Sequence, residues 1–220
     1  MVWLESPPPQ AGPSNSVDIT YRLVGRTLPG SHAQALATAV CAHLNWLEQF
    51  DCGVHAIQSR PGGNGWQRPQ GAHATIHLSA RTRLALRIPR SHINAAATLS
   101  GQTVDIDGHT LAIGKASVRE LQPTATLFAR RIASQADISE AEFVEQAAQQ
   151  LREYGIEPRK LLCGKDDTCT AHSGPVFTRA LMVADLGARE SLELQVRGLG
   201  AHRILGCGIF VGHKSITPVT

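Results

Sequence analysis

Alternation of apolar and polar side chains predicts most of the strands in this chain. In residues 16–24 (SVDITYRLV) every second side chain is apolar, which is the period of a strand with one buried face. The turn of a later hairpin is predicted at Asp107-Gly108, because this pair readily adopts the positive φ angles of a tight turn. The predicted strands of the first half are residues 16–24, 53–58, 73–79 and 83–88, with the hairpin over 103–121.

Apolar residues spaced three or four apart predict the helices. Ser31 is a candidate N-cap for a helix over about 32–50, and residues 91–99 predict a shorter helix. Residues 60–71 (RPGGNGWQRPQG) have no regular pattern and predict a loop. The apolar face of the first helix consists of Ala35, Leu36, Ala39, Val40, Leu44 and Leu47.

The pattern starts again after Pro123. Ser139 and Glu142 have the spacing of a capping box, which predicts a helix from there to about Tyr154, and Gly155 is placed to end it. The other predicted elements of this half are strands over 124–133, 160–170 and 176–186, a short helix over 190–198, and a last strand over 207–212.

Each half therefore has the order strand, helix, strands, short helix, strand. This is close to βαββαβ, the ferredoxin-like unit. The predicted fold class is α+β, with tandem ferredoxin-like (RRM-like) domains over 16–122 and 123–220 and a glycine-rich loop near the C-terminus. Residues 1–15, rich in proline and serine, predict a flexible leader.

The composition is that of a soluble globular protein. Hydrophobic residues make up 42% and charged residues 18% of 220 residues, and no apolar run reaches the ~18 residues that a membrane span needs. The N-terminus lacks the basic start and apolar stretch of a signal peptide. Five scattered cysteines without zinc-finger spacing predict a reducing, cytoplasmic location and no structural metal site.

The charges are unevenly distributed, although the net charge is only +3. No Asp or Glu occurs in residues 52–104, which carry six arginines, or from Leu194 to the end. Such segregation predicts basic surfaces that attract a polyanion, and solvated basic faces are the alternative. The six arginines are Arg60, Arg68, Arg81, Arg83, Arg87 and Arg90.

Four glycines near the C-terminus form the pattern G-x-G-x5-G-x-G within GLGAHRILGCGIFVGHK. Glycine adopts φ > 0 and lets backbone N–H groups approach a phosphate closely, so the pattern predicts an anion-binding loop. A Walker A loop would need G-x4-G-K-[ST], and a dinucleotide fingerprint would open a helix, whereas these glycines precede a predicted strand. A glycine turn that only lets two segments pack is the alternative.

This segment resembles the C-terminal glycine-rich loop of the CRISPR-associated endoribonucleases that process precursor CRISPR RNA. It is similar to the form in the Myxococcus-type branch of type I systems, and LPGSHAQALATAV and CGVHAI also resemble that family. The resemblance implies tandem ferredoxin-like domains, CRISPR repeat RNA as partner, and no cofactor or metal. It also implies attack by the RNA 2′-hydroxyl, a 2′,3′-cyclic phosphate product, and retention of the product in an effector complex with other subunits.

Two histidines match the family motifs and are the predicted catalytic residues. His32 opens the first helix, where the helix dipole favours a bound phosphate and a neutral imidazole, so a general base is indicated. His55 lies on the predicted strand 53–58 and is interpreted as an acid, a phosphate contact or a packed core histidine. The predicted RNA-binding residues are Gly198, Gly200, Arg203, Gly206, Gly208, Lys214, Arg197, Arg130 and Arg60.

Two other functions fit parts of the sequence. Ferredoxin-like domains also bind RNA without cutting it, so a non-catalytic subunit of a CRISPR effector complex is the alternative. HATIHLS, residues 73–79, superficially fits the H-x-[ST] pairs of two-histidine phosphoesterases, but those pairs belong to separate repeats and here they adjoin.

Overall fold

The first half of the chain folds around a five-stranded antiparallel sheet. The structure, a computed structural model, describes residues 14–57 and 74–213. The sheet has the strand order β3-β5-β1-β7-β6. Its strands are β1 (Ser16–Val24), β3 (Gly53–Val54), β5 (Arg83–Pro89), β6 (Thr103–Ile106) and β7 (His109–Glu120); β2 (Thr27–Pro29) and β4 (Thr75–His77) form a separate two-stranded sheet.

Two helices cover one face of this sheet. They are α1 (Ala33–His43) and α2 (Ile93–Ala97), which continues a 3-10 turn at Arg90–His92. β1 is the central strand, and its alternate residues are buried as its sequence predicts, because they face the helices. The buried side chains of β1 are Val17, Ile19, Tyr21 and Leu23.

The second half forms a four-stranded antiparallel sheet with the order β11-β8-β10-β9. Both sheets therefore have the ferredoxin-like order, in which the first strand of each unit lies between its third and fourth strands. The elements are β8 (Leu127–Ala133), α3 (Glu140–Glu153), β9 (Lys160–Ala171), β10 (Gly174–Ala184), α4 (Ala188–Arg197) and β11 (Val211–Gly212), with a 3-10 turn at Arg203–Leu205.

Several predicted boundaries change. The predicted helix over 32–50 ends at His43, and its apolar spacing continues into a separate 3-10 turn, Leu47–Gln49, which also buries Leu47. The strand predicted over 53–58 has two residues, and the strand predicted over 73–79 pairs with β2 instead of the large sheet. The final strand is also short: residues 207–210 are buried, and Val211 and Gly212 pair with β8.

A small hydrophobic cluster joins the two units. Ala33 and Ala37 of α1 pack against the β9–β10 hairpin and against the segment after α4. We call that segment, residues 198–210, the glycine segment. Because α1 contacts both, the N-terminal end of α1 is fixed relative to the second unit. The remaining members of this cluster are Cys169, Ala171, Val176, Leu205 and Cys207.

Within residues 14–57 and 74–213, no helix has the length and apolar content to cross a membrane.

Candidate functional site

His32 lies at the N-cap position of α1, directly after β2. Its Nδ1 is 2.8 Å from the carbonyl oxygen of Pro29. A carbonyl only accepts hydrogen bonds, so Nδ1 carries the proton and the lone pair of the neutral ring is on Nε2. The side chain is 3% exposed. The fold therefore fixes the tautomer and the orientation of His32 but places the ring below the surface.

His55 follows β3, and its backbone N–H donates to the carbonyl of Ala85. Its Nε2 lies 3.3 Å from Oδ1 of Asp18, on the central strand β1. Burial alone would raise the pKa of Asp18, but hydrogen bonds from His55 and Arg87 outweigh it and hold that pKa well below its usual value. The carboxylate is therefore ionised at working pH, and it keeps a proton on Nε2 of His55.

Arg87 is a buried arginine that connects the two units. Its side chain is 1% exposed, and its Nε and Nη2 donate to the two oxygens of Asp18 at 2.8 and 2.9 Å. Its Nη1 donates to the carbonyl oxygens of Gln195 and Phe210 at 2.9 and 2.7 Å. Arg87 is therefore not part of a basic surface as the charge distribution predicted, whereas Arg81 and Arg83 are exposed.

A cleft of about 380 Å³ opens between the two units beside His55. We call it the basic cleft, because its described lining has two histidines and two arginines and contains no Asp or Glu. The rings of Phe128 and His213, on its far wall, are 6.0 Å apart in an edge-to-face arrangement. The lining residues are His55, Ala56, Phe128, Arg130, Arg131, Gly206, Ile209, Val211 and His213.

Arg130 and Arg131 differ in their surroundings. Arg131 is buried and donates to Oδ2 of Asp167 at 3.0 and 3.1 Å, which fixes it within the second unit. Arg130 is half-buried; desolvation and then the charge of Arg131 lower its pKa. The charge of Asp167 acts in the opposite direction on Arg130 and offsets part of this effect.

A larger cleft of about 850 Å³ lies between α1, the β9–β10 turn and the glycine segment. The backbone N–H of His172, in that turn, donates to Oε1 of Gln34, and the Nε2 of His172 lies 3.3 Å from the hydroxyl of Thr38. Glu48 and Asp51 also line this cleft. These carboxylates make it less favourable for a polyanion than the basic cleft.

The four predicted glycines have positive φ angles, between 67° and 82°. A Cβ on Gly198 would lie 2.2 Å from the carbonyl oxygen of Gly208, and a Cβ on Gly208 would lie 2.3 Å from that of Leu199. Real Cβ atoms do not approach so closely. The glycines at these two positions therefore allow two stretches of the backbone in the glycine segment to pack directly against each other.

The amides of the same glycines donate within the protein. Gly198 donates to Leu194, Gly206 to Arg203 and Gly208 to Arg131, all at carbonyl oxygens. The fourth amide, that of Gly200, donates to the side chain of Gln150 at 3.3 Å. A phosphate cradle built from these amides would have to displace those hydrogen bonds, so the structure favours the packing interpretation of this segment.

The arginines in and next to the segment, Arg203 and Arg197, also have partners within the protein. Arg203 is 7% exposed, and its guanidinium donates to the carbonyls of Val196 and Arg197 at the end of α4, where it satisfies the last turn of the helix. Its burial argues against the predicted RNA contact. Arg197 is exposed; it pairs with Glu193 at 2.6 Å and lies over the ring of Tyr154.

Some predictions fall outside the described residues. These are the leader before Ser14, Arg60 and the loop containing it, Lys214, and His73 of the first H-x-[ST] pair. The second pair begins at His77, which is exposed on β4. Among described side chains, no group of three or more His, Cys, Asp or Glu could hold a metal ion.

The structure does not bring the two predicted catalytic histidines into one pocket. His55 lines the basic cleft, whereas His32 is absent from the described lining of both clefts. Sequence reasoning missed the pairing of Asp18 with Arg87, which are directly opposite each other on β1 and β5. The only signal was a charged residue in each alternating strand, and it becomes informative once the strand register is known.

Comparisons with known proteins agree on one family. The family model described as Cas6 Crispr matches residues 17–215. The CRISPR-associated endonuclease Cas6 of Myxococcus xanthus (strain DK1622) is 29% identical over 196 residues, covering 89% of this chain and 80% of that protein.

Solved structures share the fold. A CRISPR associated protein Cas6 superposes with a TM-score of 0.62 at 11% identity, covering 90% of this chain and all of the other. Thermus thermophilus Cse3, bound to an RNA representing a pre-cleavage complex, has a TM-score of 0.51 at 13% identity, covering 90% and 98%. Since the family model spans nearly the whole described chain and the fold agrees, this chain belongs to the Cas6 family of CRISPR-associated endonucleases.

Proposed function

We propose that this chain binds CRISPR repeat RNA, cuts precursor crRNA without a metal ion, and stays bound to the product as an effector-complex subunit. The family's endonuclease name and the fold shared with an RNA-bound Cse3 support RNA as the substrate. The observation that carries the reaction is the orientation of His32, whose Nδ1–H donates to Pro29 and so directs the basic Nε2 away from that carbonyl.

The reaction is a transesterification within the RNA. His32 Nε2 takes the proton of the 2′-hydroxyl, the 2′-oxygen bonds to phosphorus, and the bond from phosphorus to the 5′-oxygen breaks. A general acid gives the departing 5′-oxygen a proton. The products are a 2′,3′-cyclic phosphate and a 5′-hydroxyl. Neither oxidation nor an added nucleophile is needed, and histidine has the pKa for both proton transfers near neutral pH.

The start of α1 suits this role electrostatically. The first-turn N–H groups of this 11-residue helix have no partner within the helix, and the helix dipole places partial positive charge there. Both effects favour a phosphate beside His32. His55 is the second candidate, as the acid or as a phosphate contact.

Cleavage of repeat RNA from the chain's own CRISPR locus, in excess EDTA, tests this proposal. His32→Ala should lower the cleavage rate by about 10²–10⁴-fold, the usual contribution of a general base, while RNA affinity is retained. The exposed His77 provides the matched control, and His77→Ala should cut normally. Mass spectrometry of the product should show a cyclic phosphate. No cutting by the unmutated protein in EDTA, or normal cutting by His32→Ala, would contradict the proposal.

The alternative is an RNA-binding subunit that does not cut. Its support is the burial of His32, which is 3% exposed, so the substrate would have to open the site to reach Nε2. The same assay separates the two functions: tight binding with no product from the unmutated protein would favour the subunit.

A further inference from the structure

Two cysteines of the second unit are buried beside each other, and the proposed cleavage at His32 does not use them. Cys169 lies on β9 and Cys207 in the glycine segment, and both are free thiols. Both belong to the small hydrophobic cluster that joins the units, where Cys169 is 6% and Cys207 0% exposed. The thiol of Cys207 donates a hydrogen bond to the sulfur of Cys169. The fold therefore brings together two thiols that are far apart in sequence.

Backbone hydrogen bonds hold both cysteines in place. Cys169 is paired with Val176 in the antiparallel β9–β10 ladder. The N–H of Cys207 donates to the carbonyl of His202, and the next amide along the chain donates to the carbonyl of Arg131 on β8. Because each cysteine belongs to a hydrogen-bonded stretch of backbone, the two sulfurs stay near each other in the folded protein.

The surroundings of the pair favour a thiolate on Cys169. The hydrogen bond from Cys207 is the largest effect and, against the opposing effect of burial, lowers the pKa of Cys169 to about 7. The buried guanidinium of Arg131 acts in the same direction, and its ion-pair partner Asp167, two residues before Cys169 on β9, opposes it. The same hydrogen bond and burial raise the pKa of Cys207. The two sulfurs therefore share one proton, and Cys169 is the nucleophile of the pair.

We propose that Cys169 and Cys207 form a redox modification site, at which hydrogen peroxide converts the two thiols to a disulfide within the chain. The Cys169 thiolate attacks one oxygen of the peroxide, the O–O bond breaks, and Cys169 becomes a sulfenic acid. The hydroxide that leaves takes up the proton that Cys169 had lost and becomes water. The sulfur of Cys207 then attacks that of Cys169, and the S–S bond forms while the hydroxyl group leaves as water with the thiol proton of Cys207. In total, the thiols lose two electrons and two protons, and the peroxide is reduced to two water molecules.

The position of the pair suits this sequence of steps. Cys169 is the more exposed of the two, so a small oxidant meets it first, and Cys207 needs no access to solvent because it attacks from inside the protein. The disulfide links β9 to the glycine segment in the cluster that also contains Ala33 of α1. Since Ala33 directly follows His32, oxidation changes the packing beside the start of α1.

The test treats the folded full-length protein with hydrogen peroxide, stops the reaction with catalase, and alkylates the remaining thiols in urea. Tryptic digestion and mass spectrometry then map the products. We expect the peptide of residues 166–179 to be joined to that of residues 204–214, with the mass of the two peptides less two hydrogen atoms. Dithiothreitol should separate them again. The thiol of Cys169 should be lost about tenfold faster than that of Cys163, because a thiolate is the reacting form.

Two variants separate the roles of the cysteines. Cys207→Ala should form no cross-link and should accumulate a sulfenic acid at Cys169, which dimedone labels. Cys163→Ser is the matched control, because Cys163 lies on the same strand and is only half-buried, and it should form the disulfide at an unchanged rate. Circular dichroism shows whether each variant is folded. If Cys207→Ala does not fold, the map of the unmutated protein decides the question by itself.

Two results would overturn the inference. In one, peroxide oxidises Cys169 of the folded, unmutated protein without linking it to Cys207. In the other, the cross-link forms only in urea, which would mean that the fold does not bring the thiols together. The test uses no RNA, so it fails or succeeds independently of the cleavage proposal: a protein that does not cut RNA would still form this disulfide.

Discussion

Replacement of Arg87 by methionine tests whether one buried ion pair holds the two units together. Met has a similar length and no charge, so the change removes the four hydrogen bonds of the guanidinium with little change in volume. It leaves the carboxylate of Asp18 with His55 as its remaining described partner, and it leaves the carbonyls of Gln195 and Phe210 without this donor.

The magnitude follows from the burial of the pair. Arg87 is 1% and Asp18 18% exposed, so water compensates little of the loss. Breaking a buried ion pair from one side costs about 3–5 kcal/mol, and each buried acceptor left unsatisfied costs about 1–3 kcal/mol. These two costs are not additive, because the same relaxation of the structure reduces both, so we expect Arg87→Met to lower the free energy of unfolding by about 4 kcal/mol. That is a large part of the ~5–15 kcal/mol that stabilises a typical domain.

Urea unfolding followed by tryptophan fluorescence and far-UV circular dichroism measures this cost. Arg83→Met, on the same strand but exposed, is the matched control and should change the free energy of unfolding by less than about 0.5 kcal/mol. Asp18→Asn combined with Arg87→Met should cost less than the sum of the single changes, with a coupling of about 2 kcal/mol. A loss below about 1 kcal/mol for Arg87→Met, or strict additivity, would refute the reasoning.

Two further predictions concern the same junction. Folding lowers the pKa of Asp18 below its unfolded value of about 3.9, so the stability that Asp18 contributes is present above that pH and is lost as the pH falls below it. In urea titrations at decreasing pH, the free energy of unfolding should therefore fall more steeply for the unmutated protein than for Asp18→Asn. Parallel curves for the two proteins would contradict this. Gly208→Ala should lower the free energy of unfolding by more than about 3 kcal/mol or prevent folding, because its Cβ would meet the carbonyl of Leu199. Gly101→Ala, also at positive φ but with nothing near its Cβ, is the control and should cost about 1–2 kcal/mol. Thermal melting compares the two variants, and equal losses of stability would exclude the close-approach explanation.

Local sequence signals predicted the regular elements well. The capping box of Ser139 and Glu142 begins α3, and Gly155, with φ of 73°, follows its end. Asp107 and Gly108 both have the positive φ expected of the hairpin turn. These features depend on residues close together in sequence, which explains why one sequence was sufficient to find them.

The errors arose where contacts between distant residues decide the structure. The apolar spacing through Leu47 predicted a continuous helix, but that spacing is also satisfied by a 3-10 turn after a break at Leu44. Alternation predicted the strand over 73–79 but not its partner: β4 pairs with β2, while β3 and β6 form the edges of the large sheet. Periodicity reports which side chains are buried and does not report against what they pack.

The candidate site shows the same division. The motif around His32 correctly predicted that this histidine lies at the start of a helix, but it did not predict that the side chain is buried. Glycines and arginines near the C-terminus indicated an anion site, yet Gly198 and Gly208 serve close packing, and Arg203 completes the end of α4. Composition alone cannot distinguish a glycine that allows close approach of a phosphate from one that allows close approach of another stretch of backbone.

Asp18 connects the stability of the molecule with the chemistry of the basic cleft. One carboxylate accepts hydrogen bonds from Arg87, which reaches into the second unit, and from His55, which lines the cleft. A change at Asp18 or Arg87 therefore disturbs the position of His55 and the junction of the units together. A binding defect in such variants is not evidence of an RNA contact. Arg130 lines the cleft without belonging to the described hydrogen bonds of Asp18, so Arg130→Gln tests whether the cleft contributes to RNA binding while the hydrogen bonds of Asp18 stay in place.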